Sequence, residues 1–152
     1  MKEEDIKRLV DGKQIDLVLT DPPYNVDVGA KGDGNEQFDN RRIKNDNMPS
    51  EDFLAFLVKV FKNMREVLKE GGSYYVCHGS STLVEFDRAL QLNNLKPRQQ
   101  LIWNKNSLVL GRQDFQWRHE CIYYGWKEGK AHYFIDDRTI TTVIDAPSLD
   151  FK

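Results

Sequence analysis

Apolar residues recur with two different periods along the chain, and the points where the period changes mark out the elements. From Ser50 to Lys69, Phe53, Leu57, Val60, Phe61, Met64, Val67 and Leu68 follow the helical repeat and form one stripe. Ser50 stands where a cap belongs, Glu51 and Asp52 suit the positive end, and Gly71-Gly72 predict the close of this helix. Glu3 to Val10 reads as a short charged helix with Ile6, Leu9 and Val10 on one side and Gly12 as its stop. Gly79-Ser80-Ser81 caps a further helix running to about Asn93, with Leu83, Phe86 and Leu90 inward. Four segments read as strands: Ile15 to Thr20, Ser73 to His78, Arg98 to Lys105 and Glu120 to Trp126. A weaker strand covers Ile140 to Ile144, and Gly111 to Arg118 reads as a loop.

Strands alternating with helices predict an α/β domain with a largely parallel sheet, and the last strand pair predicts an antiparallel hairpin at one edge. The segment 25–49 is rich in Gly, Asp and Asn and has little periodicity. A loop of that length in a compact domain is functional or disordered. There is no internal repeat and no interdomain linker, so the 152 residues read as one domain.

Composition narrows the class. With 39% hydrophobic residues the chain can build a core, and no apolar run approaches the roughly 20 residues of a membrane span. Met1-Lys2-Glu3-Glu4-Asp5 is too acidic for a signal or transit peptide, so the default is a soluble cytoplasmic domain. A net charge of −2 argues against a histone-like binder of nucleic acid but leaves room for a local basic face. Cys77 and Cys121 lack C-x-x-C spacing, and His78, His119 and His132 lack metal-ligand spacing, so neither a disulfide framework nor a metal site is expected.

The chemistry sits in Asp21-Pro22-Pro23-Tyr24, immediately after the first strand. Consecutive prolines end that strand, and in an open α/β sheet ligands bind outside the carboxyl ends of the strands. By composition alone such a tetrapeptide arises in under roughly one chain in a thousand of this length. The bland alternative is a turn signal followed by a packing tyrosine.

The motif resembles that of the DNA amino-methyltransferases, the adenine-N6 and cytosine-N4 group, in which it is written [D/N/S]-P-P-[Y/F/W] and the adenine enzymes usually carry D-P-P-Y. The flanks Asp16-Leu17-Val18-Leu19-Thr20 and Asn25-Val26 are similar to the family's, as are Leu68-Lys69-Glu70-Gly71-Gly72-Ser73-Tyr74-Tyr75-Val76 and Trp117-Arg118-His119-Glu120-Cys121-Ile122-Tyr123-Tyr124-Gly125. The resemblance implies a Rossmann-like methyltransferase fold, S-adenosylmethionine as cofactor and DNA as partner. It implies Asp21, Pro22, Pro23 and Tyr24 as catalytic residues, with Asp21 also facing the cofactor.

Two acceptors bonding the hydrogens of an exocyclic amine would localise its lone pair, and the Asp21 carboxylate and Pro22 carbonyl are the candidates. Tyr24 is the candidate stacking surface for a flipped base. Methylation at carbon-5 of cytosine needs a cysteine nucleophile, in that family after a proline, whereas Cys77 follows Val76 and Cys121 follows Glu120. Related glutamine-modifying enzymes use N-P-P-Y, which keeps a protein substrate open; the Asp here counts against it.

Further candidates are weaker. Between Leu95 and His132, Lys96, Arg98, Lys105, Arg112, Arg118, Lys127 and Lys130 outnumber Asp114, Glu120 and Glu128, with aromatics interleaved. That mixture suits phosphate contact and base stacking. Arg112 and Arg118 are candidate DNA contacts, Trp117 a candidate wall of the base pocket, and Arg41 and Arg42 candidate DNA contacts from the long loop. The alternative is an aromatic core beneath a solvated charged face.

The family's cofactor signature, similar to F-x-G-x-G, does not occur in the 152 residues. In one permuted subgroup it follows the D-P-P-Y half, and the order here fits that subgroup. The expected fold is therefore partial, and two readings stand. One is the catalytic and target-binding half of an adenine-N6 methyltransferase, with cytosine-N4 as the neighbouring option. The other is a noncatalytic chain that binds DNA or self-associates. Exposed strand edges would favour a homo-oligomer or a complementing cofactor-binding chain.

Overall fold

One long strand inside the sheet decides the architecture, because its side chains alternate between a packed face and an open one. The computed structural model describes residues 3–26, 46–110 and 113–148. The elements are α1 (Glu3–Val10), β1 (Ile15–Thr20), α2 (Ser50–Val67), β2 (Leu68–His78), a 3-10 turn (Ser80–Thr82), α3 (Leu83–Leu92), β3 (Pro97–Val109), β4 (Trp117–Trp126) and β5 (Val143–Asp145). They form a sheet in the order β1-β2-β4-β3-β5.

The pairings are mixed. β1 runs parallel to β2 and β5 parallel to β3, while β4 is antiparallel to both β2 and β3. The expectation of a largely parallel sheet with a hairpin at its edge is thereby corrected. β3 and β4 do pair antiparallel, but β4 inserts against β2 and so places β3 further out. A sequence read locally cannot rank the neighbours of a strand, since both sides of β4 offer it the same aromatic and aliphatic partners.

α2 and α3 cover one face. Phe53, Leu57, Phe61 and Met64 of α2 and Phe86, Ala89 and Leu90 of α3 meet Tyr74, Val76 and Tyr123 of the sheet in one buried cluster. Burial along β2 alternates, with Tyr74, Val76 and His78 inside and Tyr75 and Cys77 only half-buried. Strand side chains point to opposite faces in turn, so Leu17, Leu19, Tyr75, Cys77, Ile122 and Tyr124 share the second face. No helix among the described residues packs there, and Leu17 and Leu19 stand 53% and 70% exposed. No helix of the described residues is long and apolar enough to cross a membrane.

Several local expectations change. Pro49 takes the cap position of α2 with no side-chain capping bond, and the Ser50 hydroxyl instead donates to Glu85 of α3 at 2.7 Å. The helix ends at Val67, and Leu68 is already extended. Gly71-Gly72 therefore lie inside β2 rather than closing the helix. Gly71 has φ +79°, and a Cβ there would meet the Ala131 carbonyl oxygen at 2.4 Å, so glycine serves a close approach of backbones. The Gly71 amide donates to the Lys127 carbonyl at 2.8 Å, and the Lys127 amide to that of Gly72 at 3.0 Å. β3 runs past Lys105 to Val109, β4 begins at Trp117 inside the expected loop, and the last strand shortens to Val143–Asp145.

Candidate active site

β1 is a run of branched and apolar residues that pairs with β2 as far as Thr20, opposite Val76. Asp21-Pro22-Pro23-Tyr24 leaves the sheet at that point, because neither proline can donate to a ladder. Pro22 is buried, Pro23 and Tyr24 half-buried, and the Asp21 side chain exposed.

Tyr24 is fixed from several sides. Its carbonyl accepts from the Thr82 hydroxyl at 3.0 Å, and its ring meets Phe86 edge-on with centroids 6.3 Å apart. Its hydroxyl lies 2.7 Å from Asp21 Oδ1 and 3.1 Å from Glu120 Oε2. The other oxygen of Glu120 accepts from Lys105 Nζ in an ion pair joining β4 to β3. The Lys105 ammonium also sits 4.9 Å from the centre of the Trp103 ring, a cation–π contact. Trp103 in turn donates its indole N–H to the Ala146 carbonyl at 2.8 Å. Asp21, Tyr24, Glu120 and Lys105 thus form one hydrogen-bonded chain across three strands of the sheet.

Burial, the hydrogen bond to Asp21 and the charges of Asp21 and Glu120 together push the Tyr24 phenol far above its ordinary range, so it keeps its proton. Cys77 lies on the neighbouring strand. Burial first, then the Asp21 and Glu120 charges, push its thiol up to about 11. A thiol so placed is a poor nucleophile. Cys121 is buried.

The residue after the motif closes the base of the long segment. Asn25 has φ +60°. Its amide nitrogen donates to the Met48 carbonyl at 2.9 Å, and its amide oxygen accepts from the Met48 amide at 2.6 Å. The Val26 amide donates to buried Asp46 at 3.1 Å.

Of the other expected site residues, Arg118 falls beside the chain: its Nε donates to the Lys105 carbonyl at 2.9 Å. Trp117 opens β4, 44% exposed, edge-on to His119 with centroids 5.7 Å apart. Arg41, Arg42 and Arg112 lie outside the described residues. Sequence reasoning missed Lys105 and Glu120 as site residues and counted them only as charges. A usable signal existed: Glu120 is an acid just before the run Cys121 to Tyr124, and Lys105 is a cation just after the apolar run Leu101 to Trp103, the ends that meet in an antiparallel pair.

The family model for DNA methylases of the N6/N4 type matches residues 15–148, and the chain belongs to that family. Type II methyltransferase M.BglII of Bacillus subtilis is 25% identical over 131 residues, 80% of this chain and 32% of that protein. Among solved structures, the PvuII DNA methyltransferase, described as cytosine-N4-specific, superposes with a TM-score of 0.65 at 13% identity, covering 92% of this chain and 53% of that one. The M1.HpyAVI–SAM complex gives 0.60 at 13% identity, covering 91% and 56%. These superpositions establish the Rossmann-like α/β methyltransferase fold. The chain spans about a third of the curated relative's length and just over half of these solved chains.

Proposed function

We propose that this chain is the catalytic and target-binding part of a DNA amino-methyltransferase acting on N6 of an adenine flipped out of the duplex. The observation that carries the reading is Asp21-Pro22-Pro23-Tyr24 at the carboxyl end of β1, with the Asp21 carboxylate exposed and held at one oxygen by Tyr24. An exocyclic amine is a weak nucleophile because its lone pair belongs partly to the ring. The Asp21 carboxylate and the Pro22 carbonyl accept its two hydrogens, which pulls the nitrogen toward a pyramidal, nucleophilic form. Flipping costs a few kcal/mol, and stacking on the open part of the Tyr24 ring returns roughly 1–3 kcal/mol. Arg118, bonded to the Lys105 carbonyl, is the candidate phosphate contact, with Trp117 beside it in sequence as the candidate pocket wall.

S-adenosylmethionine supplies the methyl group when bound. The described residues offer it an acceptor side but, among them, no cradle. At Gly79, in the turn from β2 to α3, a Cβ would lie 3.2 Å from Tyr24 Cβ, so the motif itself fills that turn. The cradle then comes from a cofactor-binding α/β part that lies against the bare sheet face and the outer edge of β1. The share of the solved relatives that this chain covers, 53% and 56%, leaves room for such a part.

A methyl-transfer assay on DNA tests the reading. Asp21→Ala is expected to lose about 100-fold or more in rate, and 6-methyladenine is the expected product. Full activity in the variant removes the role given to Asp21, and 4-methylcytosine as product replaces adenine with cytosine as the target. Calorimetry of the chain with S-adenosylmethionine reads the cofactor side: no binding at millimolar cofactor means that the chain does not act alone. The bare face favours a second reading, a noncatalytic chain that binds DNA or associates with itself, which the same calorimetry and a sedimentation run separate.

A further inference from the structure

The Tyr24 hydroxyl carries one proton and has two carboxylate oxygens in reach, Asp21 Oδ1 at 2.7 Å and Glu120 Oε2 at 3.1 Å. A phenol donates a single hydrogen bond, so it serves one carboxylate at a time. Glu120 is not free to move toward or away from it, since its second oxygen is held by Lys105 and the pair is largely buried, with side-chain exposures of 14% for Lys105 and 26% for Glu120. Lys105 is itself held over Trp103, and its carbonyl takes Arg118 Nε. A buried ion pair aimed at a tyrosine that already has a partner is costly to keep for stability alone.

We propose that Glu120, fixed by Lys105, is a positioning residue for Asp21 that acts through the Tyr24 hydroxyl and carries away the proton released by the methylated amine. The inference rests on the methyltransferase reading above. In the resting arrangement Tyr24 donates to Asp21 Oδ1. When the target amine arrives, the hydroxyl turns to Glu120 Oε2, and Oδ1 becomes the acceptor of an amine N–H. After methyl transfer the nitrogen bears a positive charge; its N–H bond breaks and an O–H bond forms at Asp21 Oδ1. That proton then passes to the Tyr24 oxygen as the proton of Tyr24 moves to Glu120 Oε2, and Glu120 gives it to water. Tyr24 ends as it began, Lys105 keeps its proton, and one proton has left the amine. A phenol held far above its ordinary range does not form a phenolate, so the two hops occur together.

The groups around Tyr24 come from every neighbouring strand: Asp21 after β1, Cys77 on β2, Glu120 on β4 and, through Glu120, Lys105 on β3. The test is methyl transfer by the complete protein, with labelled S-adenosylmethionine and mixed-sequence duplex DNA. Tyr24→Phe keeps the ring and removes the relay. Glu120→Gln keeps an acceptor and removes the proton sink. Each is expected to lower kcat by roughly 10- to 100-fold with KM for DNA unchanged, and the double variant to be no slower than the worse single one. Lys105→Arg should retain more kcat than Lys105→Met at equal melting temperature. Losses that multiply in the double variant, or that fall on KM alone, overturn the relay. An active wild type whose variants keep full kcat overturns the relay and leaves the methyltransferase reading standing. A wild type that transfers no methyl group overturns that reading and this inference with it.

Discussion

Asn25 and Met48 are joined by a reciprocal pair of hydrogen bonds, the side-chain amide of one matching the backbone amide of the other at 2.9 and 2.6 Å. The pair brings the chain back beside the residue that ends the D-P-P-Y turn, so Tyr24 is anchored on its C-terminal side by a partner 23 residues on from Asn25. Asn25→Ala removes both bonds and also places alanine at φ +60°. The expected loss is about 1–3 kcal/mol, or several degrees of melting temperature. Asn25→Gly keeps the backbone angle and should lose less. Thermal melts of the two variants check the order.

Tyr74 and Gly125 are fitted to one another. A Cβ on Gly125 would meet the Tyr74 hydroxyl oxygen at 2.4 Å and its Cζ at 2.6 Å. That hydroxyl is buried with no hydrogen-bond partner among the described residues. Gly125→Ala should destabilise by about 1–3 kcal/mol. Tyr74→Phe should be neutral or stabilising, since it deletes an unsatisfied polar group. Adding Tyr74→Phe to Gly125→Ala should recover part of the loss, because the clashing oxygen is gone; urea unfolding measures it.

Cys77 should alkylate slowly. With the thiol at about 11, the thiolate fraction at pH 8 is on the order of a hundredfold below that of an unperturbed thiol. Removing the nearby charges with Asp21→Asn and Glu120→Gln lowers the thiol and speeds the reaction, but burial is the largest cause, so most of the protection should remain. Iodoacetamide labelling followed by mass spectrometry reads both rates.

His78 is buried, stacked on Tyr123 with centroids 4.2 Å apart, and burial lowers its pKa below the ordinary 6.5. Below pH 6.5 the unfolded chain binds a proton at this position that the folded chain resists. Stability is therefore full above pH 6.5 and declines as the pH falls toward the folded value. His78→Phe keeps the stacking and removes the titration. Its urea midpoint should change less than that of wild type between pH 7 and pH 5.

The parts of the fold that could be read from the sequence are those whose cause is local. Ile15 to Thr20 is a strand because of its own composition, and its prolines end it wherever its neighbours lie. Phe53, Leu57, Phe61 and Met64 define α2 by spacing alone. What escaped was set by distant partners. Gly71 reads as a helix stop until the Ala131 carbonyl is known to pass over it. Ser50 reads as a cap until Glu85 of α3 is seen to take its hydroxyl. The site divides in the same way. Asp21 and Tyr24 are three residues apart and were legible together, whereas Glu120 reaches Tyr24 across 96 residues and a strand order that no local pattern fixes.

Under the proposed function, a cofactor-binding part covers the bare face of the sheet. A sheet face that evolves against water drifts toward polar residues. Here Leu17, Leu19, Tyr75, Ile122 and Tyr124 occupy it, with the Tyr75 and Tyr124 rings 4.9 Å apart. Tolerance to substitution along β2 is then a gauge of company. Measured on the chain alone, Tyr75 should accept polar replacements that Tyr74 and Val76 refuse, a two-residue rhythm of permissive and forbidden sites. Measured in the cell by retained function, that rhythm should flatten, because both faces of the strand would have neighbours to satisfy.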